Sequence, residues 1–469
     1  MQKILCRLVA LLGIVAISLG QGCARGPSPE AVKLSKRTTL KVWGVVDDID
    51  AYQDIFNDFR KSRPYADIRF RRFRLEEYEE ELLNALAEDR GPDLFMLHNT
   101  WVNKYLPKIL PAPKQVKTAT QTVTGGVRQE VTQQVVVTPL ISIRAVKSDF
   151  ADVVAPNAVR RVNVSAKPDE IVLEDRVVAL PMYVDTLGLY YNKDLLNAVG
   201  IPTPPEGWDQ FQAQVKKLVK QDELGKIVRA GAGIGASTNV ERASDILSLL
   251  MMQNRAVMTD EEGFPTFTRL PPELEGEREF PPAVEALGFY TDFANPAKDV
   301  YTWNADQPNS LDAFIQGQSA FFLGYGYHLP LIRARAPKLN LGITKVPQIT
   351  GNPEVNFASY WMWSVSKKSP AGDLAWLLVN EMASRAQVSK YLTLAKRPAA
   401  QKALLPDQLE DEDVGIFASQ ILTSKTWYRG VDPRGAERAM LELISDVLGG
   451  GNPLEALRVA QEKVGQTIR

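Results

Sequence analysis

The stretch YVDTLGLYYNKDLLNAVG, residues 183–200, predicts a strand that leads directly into a helix. Its first half is apolar and aromatic, which is typical of a central strand that is covered on both faces of a sheet. Asp185 interrupts this run with a carboxylate. Because a buried charge is costly unless hydrogen bonds satisfy it, this position requires either a structural or a functional explanation.

The composition of the chain is that of a globular protein. Its 469 residues suffice for two or three domains, with 45% hydrophobic and 24% charged residues. Lys and Arg number 55 and Asp and Glu number 56, giving a formal net charge of −1. Since the chain has no excess of basic residues, its composition argues against nucleic-acid binding.

The N-terminus has the pattern of a secretory signal. Lys3 and Arg7 precede an apolar run over residues 8–19, which is shorter than a membrane-spanning helix requires. A charged start, an apolar middle and a small-residue end are typical of a signal peptide. We therefore expect residues 1–23 to direct export. The segment could be a signal peptide that ends in a lipidated cysteine, a plain signal peptide that is cut nearby, or an uncleaved anchor.

The end of this signal, LGQGC, is similar to a bacterial lipobox and predicts acylation of Cys23. Gly20 departs from the pattern, because an apolar residue usually stands three places before the cysteine. The other cysteine, Cys6, lies within the segment that would be removed, so no disulfide is expected. Residues 24–37 are polar with two prolines and are expected to form a tether to the membrane.

Residues 38–98 alternate between strand and helix patterns, which predicts a parallel sheet with crossover helices. The second of these helices begins at Leu75 and carries six Glu, which are expected to form a solvated face. Ligands of such sheets bind beyond the carboxyl ends of the strands. Here those ends are the loop after Trp43 and the segment Leu97–Trp101.

The amino-acid composition changes over residues 111–164, which are rich in Thr, Val and Gln. The Gly125-Gly126 pair in this segment is compatible with a β-hairpin, and a mobile insertion with strand tendency fits equally well. No residue pattern in this segment indicates chemistry.

Motifs of catalysis or metal binding are not found in the sequence. His98 and His328 are the only histidines, and the chain has no nucleophile elbow, zinc-protease motif, phosphate-binding loop or paired-cysteine motif. We therefore predict no metal, no cofactor and no enzymatic activity. A pair of carboxylates acting as in a glycosidase stays an alternative, because Asp and Glu are plentiful.

Several motifs in a fixed order resemble those of family 1 extracellular solute-binding proteins, the sugar-type receptors of ABC importers. The motifs are ALPMYVDTLGLYYNKD (179–194), GIP (200–202), WD (208–209), GPDLFMLHNTW (91–101), FIQGQSAFFLGYGY (314–327) and MWSVSKKSPAGDLAWLLVNEMAS (362–384). Phe321 departs from the family by replacing its usual Met. The resemblance extends over most of residues 40–400.

This resemblance implies an α/β, two-lobed periplasmic-binding-protein-like fold of type II. Each lobe would be a sheet flanked by helices, and crossing strands would hinge the two. By analogy, lobe 1 comprises residues 38–110 and 362–410, and lobe 2 comprises residues 165–361 and 411–469. Residues 111–164 would be an insertion of uncertain placement.

The resemblance also implies a ligand site in the cleft. The implied binding residues are Trp43, Asp47, Asn99, Trp101, Asp185, Tyr325, Tyr327, Trp361 and Trp363. Asp185 would accept hydrogen bonds from ligand hydroxyls, or would only tie the hinge backbone together. Trp361 and Trp363 share one face of a strand, so both would face the cleft or both the core.

The implied function is that of an exported receptor that acts as a monomer, either anchored to the outer face of the cytoplasmic membrane or located in the periplasm. It would capture a small ligand, most simply a carbohydrate, and deliver it to the permease subunits of an ABC transporter. A secreted carbohydrate-active enzyme and a surface sensor or adhesin that retained the fold are the alternatives.

Overall fold

The computed structural model describes residues 27–124, 130–165, 167 and 169–469. The predicted signal, its lipidation site Cys23 and residues 24–26 of the tether lie outside the described residues. The rest of the predicted tether contains a short helix, Pro29–Leu34, whose Ala31 is fully buried. The strands of the described residues, in chain order, are β1 (Thr38–Gly44), β2 (Ala66–Arg72), β3 (Leu94–His98), β4 (Gln115–Thr124), β5 (Glu130–Pro139), β6 (Val159–Asn163), β7 (Leu173–Val177), β8 (Leu180–Pro181), β9 (Asp185–Asn192), β10 (Lys220–Gln221), β11 (Ile227–Ala232), β12 (Ser319–Tyr325), β13 (Leu341–Lys345), β14 (Asn356–Ser359), β15 (Trp361–Val365) and β16 (Ser424–Lys425).

The α-helices of the same residues are α1 (Pro29–Leu34), α2 (Gln53–Ser62), α3 (Leu75–Ala87), α4 (Val102–Tyr105), α5 (Ile143–Asp149), α6 (Ala155–Ala158), α7 (Lys193–Ala198), α8 (Trp208–Leu218), α9 (Ala243–Gln253), α10 (Pro282–Asp292), α11 (Ser310–Ile315), α12 (His328–Arg335), α13 (Gly372–Met382), α14 (Arg385–Ala395), α15 (Gly415–Ser419), α16 (Pro433–Leu448) and α17 (Pro453–Gln466).

The first lobe is built on a five-stranded sheet with the order β2-β1-β3-β15-β8. β1 pairs in parallel with β2 and with β3, as the alternation of strands and helices predicts. β15 returns from a distant part of the chain and pairs antiparallel with β3. The carboxyl ends of β1 and β3 therefore meet at one edge of this sheet, which is where a ligand would bind.

The second lobe is built on a sheet whose central strand is β9. β12 pairs antiparallel with one edge of β9, and β13 and β14 pair antiparallel with the other. Gly188 lies in the middle of β9, and the aromatic ring of Phe417 packs where a β-carbon would stand, 2.7 Å from that position. The apolar half of the 183–200 stretch is thus a central strand, as predicted.

The motif at residues 179–194, which predicted this strand, contains the hinge, because its two parts join different sheets. Leu180-Pro181 belongs to the first sheet as β8, whereas Asp185–Asn192 belongs to the second as β9. The chain crosses again at Tyr360, between β14 and β15, and a third time between Ile421 and Trp427, whose side chains lie in different cores. Among the described residues, three crossing segments, one hydrophobic core in the first lobe and two clusters in the second confirm the two-lobed α/β fold.

The Thr/Val-rich segment forms the predicted hairpin, in which β4 and β5 pair antiparallel from Gln115–Pro139 to Thr124–Glu130. The turn that contains the glycine pair lies outside the described residues. Val116 and Ala119 bury their side chains in the core of the first lobe. The insertion is therefore an extension of lobe 1.

The same core extends further along the chain than we predicted from the resemblance. Residues 177–184, which we assigned to lobe 2, pack in the first core. The reason is that β7 pairs with β6 of the insertion and β8 pairs with β15. The boundary between the lobes consequently lies at Val184–Asp185 rather than at residue 165.

Candidate functional site

A cavity of about 750 Å³ lies between the two lobes. The first lobe contributes the segments that follow β1 and β3, at the sheet edge where the strands end. The second lobe contributes the start of α9, the turn after β12 and the start of α16. A cavity of this size between hinged lobes can enclose a small molecule.

Aromatic rings form the first-lobe wall of this cavity. Trp101 and Trp361 both line it, and their ring centroids are 5.1 Å apart with an interplanar angle of 73°. Tyr105 stacks behind Trp101 at 6.0 Å, and Tyr78 meets Trp361 edge-on at 5.9 Å. This packing fixes the two indole rings before any ligand arrives.

Asp47 lies in the same wall, but its carboxylate is already bound within the lobe. It accepts hydrogen bonds from Arg397 Nη2 at 2.9 Å and from the Tyr391 hydroxyl at 2.6 Å. The Arg397 guanidinium also lies over the ring of Tyr183, 4.8 Å from its centroid. Asp47 and Arg397 thus form a largely buried ion pair in the wall of the cavity.

Two further polar groups of this wall are also satisfied internally. Asn99 donates from Nδ2 to the Thr426 hydroxyl at 3.2 Å and accepts from the Tyr360 backbone N–H. His98 lies next to the hydroxyls of Thr100 and Ser359, at 2.8 and 2.9 Å from its two ring nitrogens. Burial, with a smaller contribution from Arg242, lowers the pKa of His98 to about 3, so its imidazole is neutral near pH 7.

Asp185 lines the cavity at the hinge, yet only 1% of it is exposed. Its carboxylate accepts from three backbone N–H groups: Thr186 at 2.9 Å, Gly326 at 2.9 Å and Tyr327 at 3.0 Å. Burial raises the pKa of the Asp185 carboxyl, although Arg397 and the three N–H groups oppose this shift. These contacts tie the first residue of β9 to the turn after β12, which favours the hinge explanation over ligand contact.

The second-lobe wall is formed by the N-terminal turn of α9 and the side chains around it. Arg242 precedes the helix with a left-handed φ of 58° and donates to Asp245 at 2.7 and 2.8 Å. The Tyr325 hydroxyl donates to the same carboxylate at 2.6 Å. An arginine in this backbone conformation is unusual, and the ion pair holds it there.

Several polar groups of the second-lobe wall remain available. The hydroxyl of Ser244 lines the cavity and makes no hydrogen bond within the described residues, although the residue is 94% buried. Tyr327 is 39% exposed and stacks on Tyr325 with a centroid distance of 5.6 Å. Glu437 lies 4.0 Å from Arg242 Nη1, and burial raises the pKa of its carboxyl. These groups give the second-lobe wall its hydrogen-bonding capacity, and on the first lobe the exposed Glu76 and the Asp48–Arg72 ion pair also line the cavity.

Trp427 and Tyr428, in the third crossing segment, complete the cavity. Trp427 donates from Nε1 to the Ser248 hydroxyl at 3.1 Å, which orients its ring against α9. No motif in the sequence marked these two residues, nor Arg242, Ser244, Arg397 or Glu437. The adjacent aromatic pair before Gly430 is the only signal that could have drawn attention to this segment.

Three predicted binding residues lie outside the cavity walls. Trp43 packs its ring against Phe73, with centroids 4.5 Å apart. Trp363 is 2% exposed and meets Tyr52 edge-on in the core, because two residues along a strand carry it about 7 Å into the sheet from Trp361. Tyr325 is fully buried beneath Tyr327, so it supports the wall without lining it.

One of the six Glu that the sequence placed on a solvated helix face is buried instead. Glu79 is 3% exposed and bridges two cations, with Lys104 at 2.7 Å on one oxygen and Arg434 at 2.7 Å on the other. Lys104 belongs to the first lobe and Arg434 to the first turn of α16 in the second. This ion pair therefore joins the two lobes at the rim of the cavity.

Within the described residues, no group of three or more His, Cys, Asp or Glu side chains is arranged to hold a metal ion. The helices in that part of the chain are also too short or too polar to cross a membrane.

Comparison with known proteins agrees with this architecture. The chain is 24% identical over 242 residues to a multiple sugar-binding protein of Streptococcus mutans, a match that covers 51% of this chain and 55% of that protein. The chain thus spans about half the length of this curated relative.

Solved structures match over nearly the whole chain. A cyclo/maltodextrin-binding protein complexed with maltotetraose has a TM-score of 0.65 at 17% identity, over 92% of this chain and 97% of that one. The maltose-binding periplasmic protein of Listeria monocytogenes, in complex with maltose, has a TM-score of 0.65 at 16% identity, over 92% and 99%. The model of the family described as bacterial extracellular solute-binding protein matches residues 45–389, and the chain therefore belongs to that family.

Proposed function

We propose that the protein captures a sugar or oligosaccharide between its lobes and delivers it to the permease subunits of an ABC importer. The observation that carries this proposal is the composition of the cavity, which has fixed indole rings on one wall and available polar groups on the other. The sugars named with the relatives and with the structural neighbours support the same ligand class.

The two walls suit the two kinds of surface that a sugar presents. Its C–H faces are apolar and can stack on Trp101 and Trp361, while its hydroxyls can bond to Ser244, Tyr327 and Glu437. Since these groups belong to opposite lobes, a ligand that contacts both favours the arrangement with the lobes together.

We further propose that the ligand is released unchanged. Glycoside hydrolysis requires one carboxyl group as an acid and a second as a base or nucleophile. Asp47 and Asp245 are held in ion pairs and Asp185 by three N–H groups, so these three acids are engaged in structural contacts. Asp48, Glu76 and Glu437 are the other carboxylates in the lining, and a turnover assay tests whether any of them acts on a sugar. Turnover of any sugar by the purified protein would contradict this proposal.

Export and anchoring are part of the same proposal. The family is described as extracellular, and the signal-like residues 1–23 support secretion with acylation at Cys23. A monomer tethered by this lipid could meet a permease in the membrane. Metabolic labelling with a radioactive fatty acid tests the anchor, since the label should be lost in Cys23→Ser.

A thermal-shift screen of sugars on the protein without residues 1–23 tests the binding proposal. A ligand at 100 times its dissociation constant should stabilise the fold by about 2.7 kcal/mol. Tyr327→Ala should weaken binding of the best sugar about tenfold. Phe280→Ala removes an aromatic ring that is 47% exposed and lies outside the cavity, and it should leave affinity unchanged. Equal affinities in both variants would contradict a site in this cavity.

A further inference from the structure

Two arginines meet beside the cavity, at the junction of the insertion and the third crossing segment. Arg160 of β6 donates from Nε to Asn103 Oδ1 at 2.7 Å. The amide of Asn103 in turn donates to the backbone carbonyl of Arg429. Arg160 thus belongs to the first lobe, Arg429 follows the second-lobe residues Trp427 and Tyr428, and Asn103 connects them.

The described residues offer no carboxylate to either guanidinium. The remaining hydrogen bonds of Arg160 go to the backbone carbonyls of Pro156 and Val159. The guanidinium of Arg429 makes no hydrogen bond in the same part of the chain, and its Nε is fully buried without an acceptor. Burying an arginine donor without an acceptor is costly. Arg63 and Arg176 also bury an Nε in this way, but each pairs with a carboxylate through a terminal nitrogen, whereas Arg429 has no such pair within the described residues.

The two most buried arginines of the described residues are neutralised, whereas Arg160 and Arg429 are half-buried. Arg397 pairs with Asp47 at 2.9 Å, and Arg63 pairs with Glu381 at 2.9 Å. At the junction, by contrast, burial and the neighbouring Arg429 lower the pKa of Arg160 to about 10. Burial also lowers the pKa of Arg429. Asn103 thus joins two arginine-bearing segments, and within the described residues neither guanidinium lies within ion-pair distance of a carboxylate.

We propose that Arg160 and Arg429 bind a small oxyanion, of the class of inorganic phosphate or sulfate, between the two lobes. A guanidinium presents a planar pair of N–H donors that match the oxygens of such an anion, and charge-assisted bonds of this kind are strong. Because each lobe supplies one arginine, the bound anion stabilises the arrangement with the lobes together. The site is separate from the sugar cavity, and neither arginine lines that cavity.

Titration of the purified protein with sodium phosphate, without any sugar, tests this site. We expect a saturable rise in melting temperature that sodium chloride at the same ionic strength does not produce. Arg160→Gln and Arg429→Gln should each weaken the apparent affinity for phosphate about tenfold or more. In phosphate-free buffer, Arg429→Gln should melt no lower than the wild-type protein, because it removes repulsion and an unpaired donor.

Arg161→Gln is the matched control. It removes the same charge from the next residue of β6, which points to the opposite face and is exposed. This variant should keep the full response to phosphate. If phosphate gives no saturable shift, or if the response survives in both Arg160→Gln and Arg429→Gln, the proposal is wrong. A response to phosphate that all three variants lose equally would indicate general screening of surface charge and would also overturn it.

Carboxylates have related chemistry, so acetate serves as a further arm of the experiment. A response to acetate as strong as that to phosphate at equal ionic strength would show that the site selects a carboxylate, as on a partner protein, and would contradict the assignment to a phosphate-like anion.

Discussion

The two walls of the cavity differ in what they leave free. On the first lobe, the side chains of Asp47, His98 and Asn99 are all hydrogen-bonded to other groups of the protein. On the second lobe, Ser244 and Tyr327 keep hydroxyls available to the cavity. The difference shows that a polar residue in a binding cleft can be structural. The first wall provides fixed indole rings, with Glu76 as its exposed carboxylate, while the second provides free hydroxyls.

Breaking the ion pair under the first wall should give the largest effect. Arg397→Met leaves the buried carboxylate of Asp47 without its cation and should lower the free energy of unfolding by about 3–5 kcal/mol. Urea denaturation measures this loss. Arg458→Met, which removes an exposed pair with Glu455, is the control and should change stability by about 1 kcal/mol or less. A loss as small as that of the control would show that the first wall is not structural.

Asp185 lies at the hinge, between the two walls, and its role there can be tested in the same way. Asp185→Asn places an amide N–H₂ against a backbone N–H and should lower the free energy of unfolding by about 1.5–3 kcal/mol. Denaturation compared with that of Asp209→Asn, an exposed acid, measures the effect. Unchanged stability with a large loss of sugar affinity would instead return Asp185 to the role of a ligand contact.

Lowering the pH should destabilise the protein through protonation of His98, a residue of the first wall. Its pKa is depressed from about 6.5 in the unfolded chain to about 3 in the folded protein, so the folded state disfavours the proton. The stability that this provides is present above pH 6.5 and is lost as the pH falls toward 3. Between pH 8 and pH 5 we expect a loss of about 1–2 kcal/mol in the free energy of unfolding. In His98→Gln the stability should change less over this range; an identical pH profile would contradict the assignment.

The smallest effect is expected on the second wall. Ser244→Ala should leave stability unchanged, because the hydroxyl has no partner within the described residues, and should weaken sugar binding by about 0.5–1.5 kcal/mol. Calorimetric titration with the best sugar from the screen measures it, with Ser389→Ala on the exposed face of α14 as the control. A loss of stability without a loss of affinity would make Ser244 structural and remove the contrast between the walls.

Much of the fold could be predicted because it follows from local patterns. Each of these patterns determines structure through residues that are close together in the sequence. Examples are the periodicities of strands and helices, the glycine pair of the hairpin and the helix break at residues 449–453. The exact hinge could not be predicted, because the break between β8 and β9 depends on their pairing with strands almost 200 residues away. Sequence patterns mark the ends of strands but not which sheet a strand joins.

The candidate site was predictable only in part, for a related reason. Trp101, Trp361 and Tyr327 lie at strand ends or in turns that the motifs identify, and they line the cavity. Trp363 and Tyr325 belong to the same motifs but point into the cores. Whether a polar residue is free depends on partners from distant elements, as Asp47 shows by pairing with Arg397, and a single sequence does not reveal those partners.

A crystal structure of the protein with the strongest sugar from the screen tests the central claim most directly. We predict the sugar between the lobes, with a ring face on Trp101 or Trp361 and a hydroxyl within hydrogen-bond distance of Ser244 or Tyr327. A sugar bound outside this cavity, or held by one lobe alone with both indole rings left uncovered, would contradict the account.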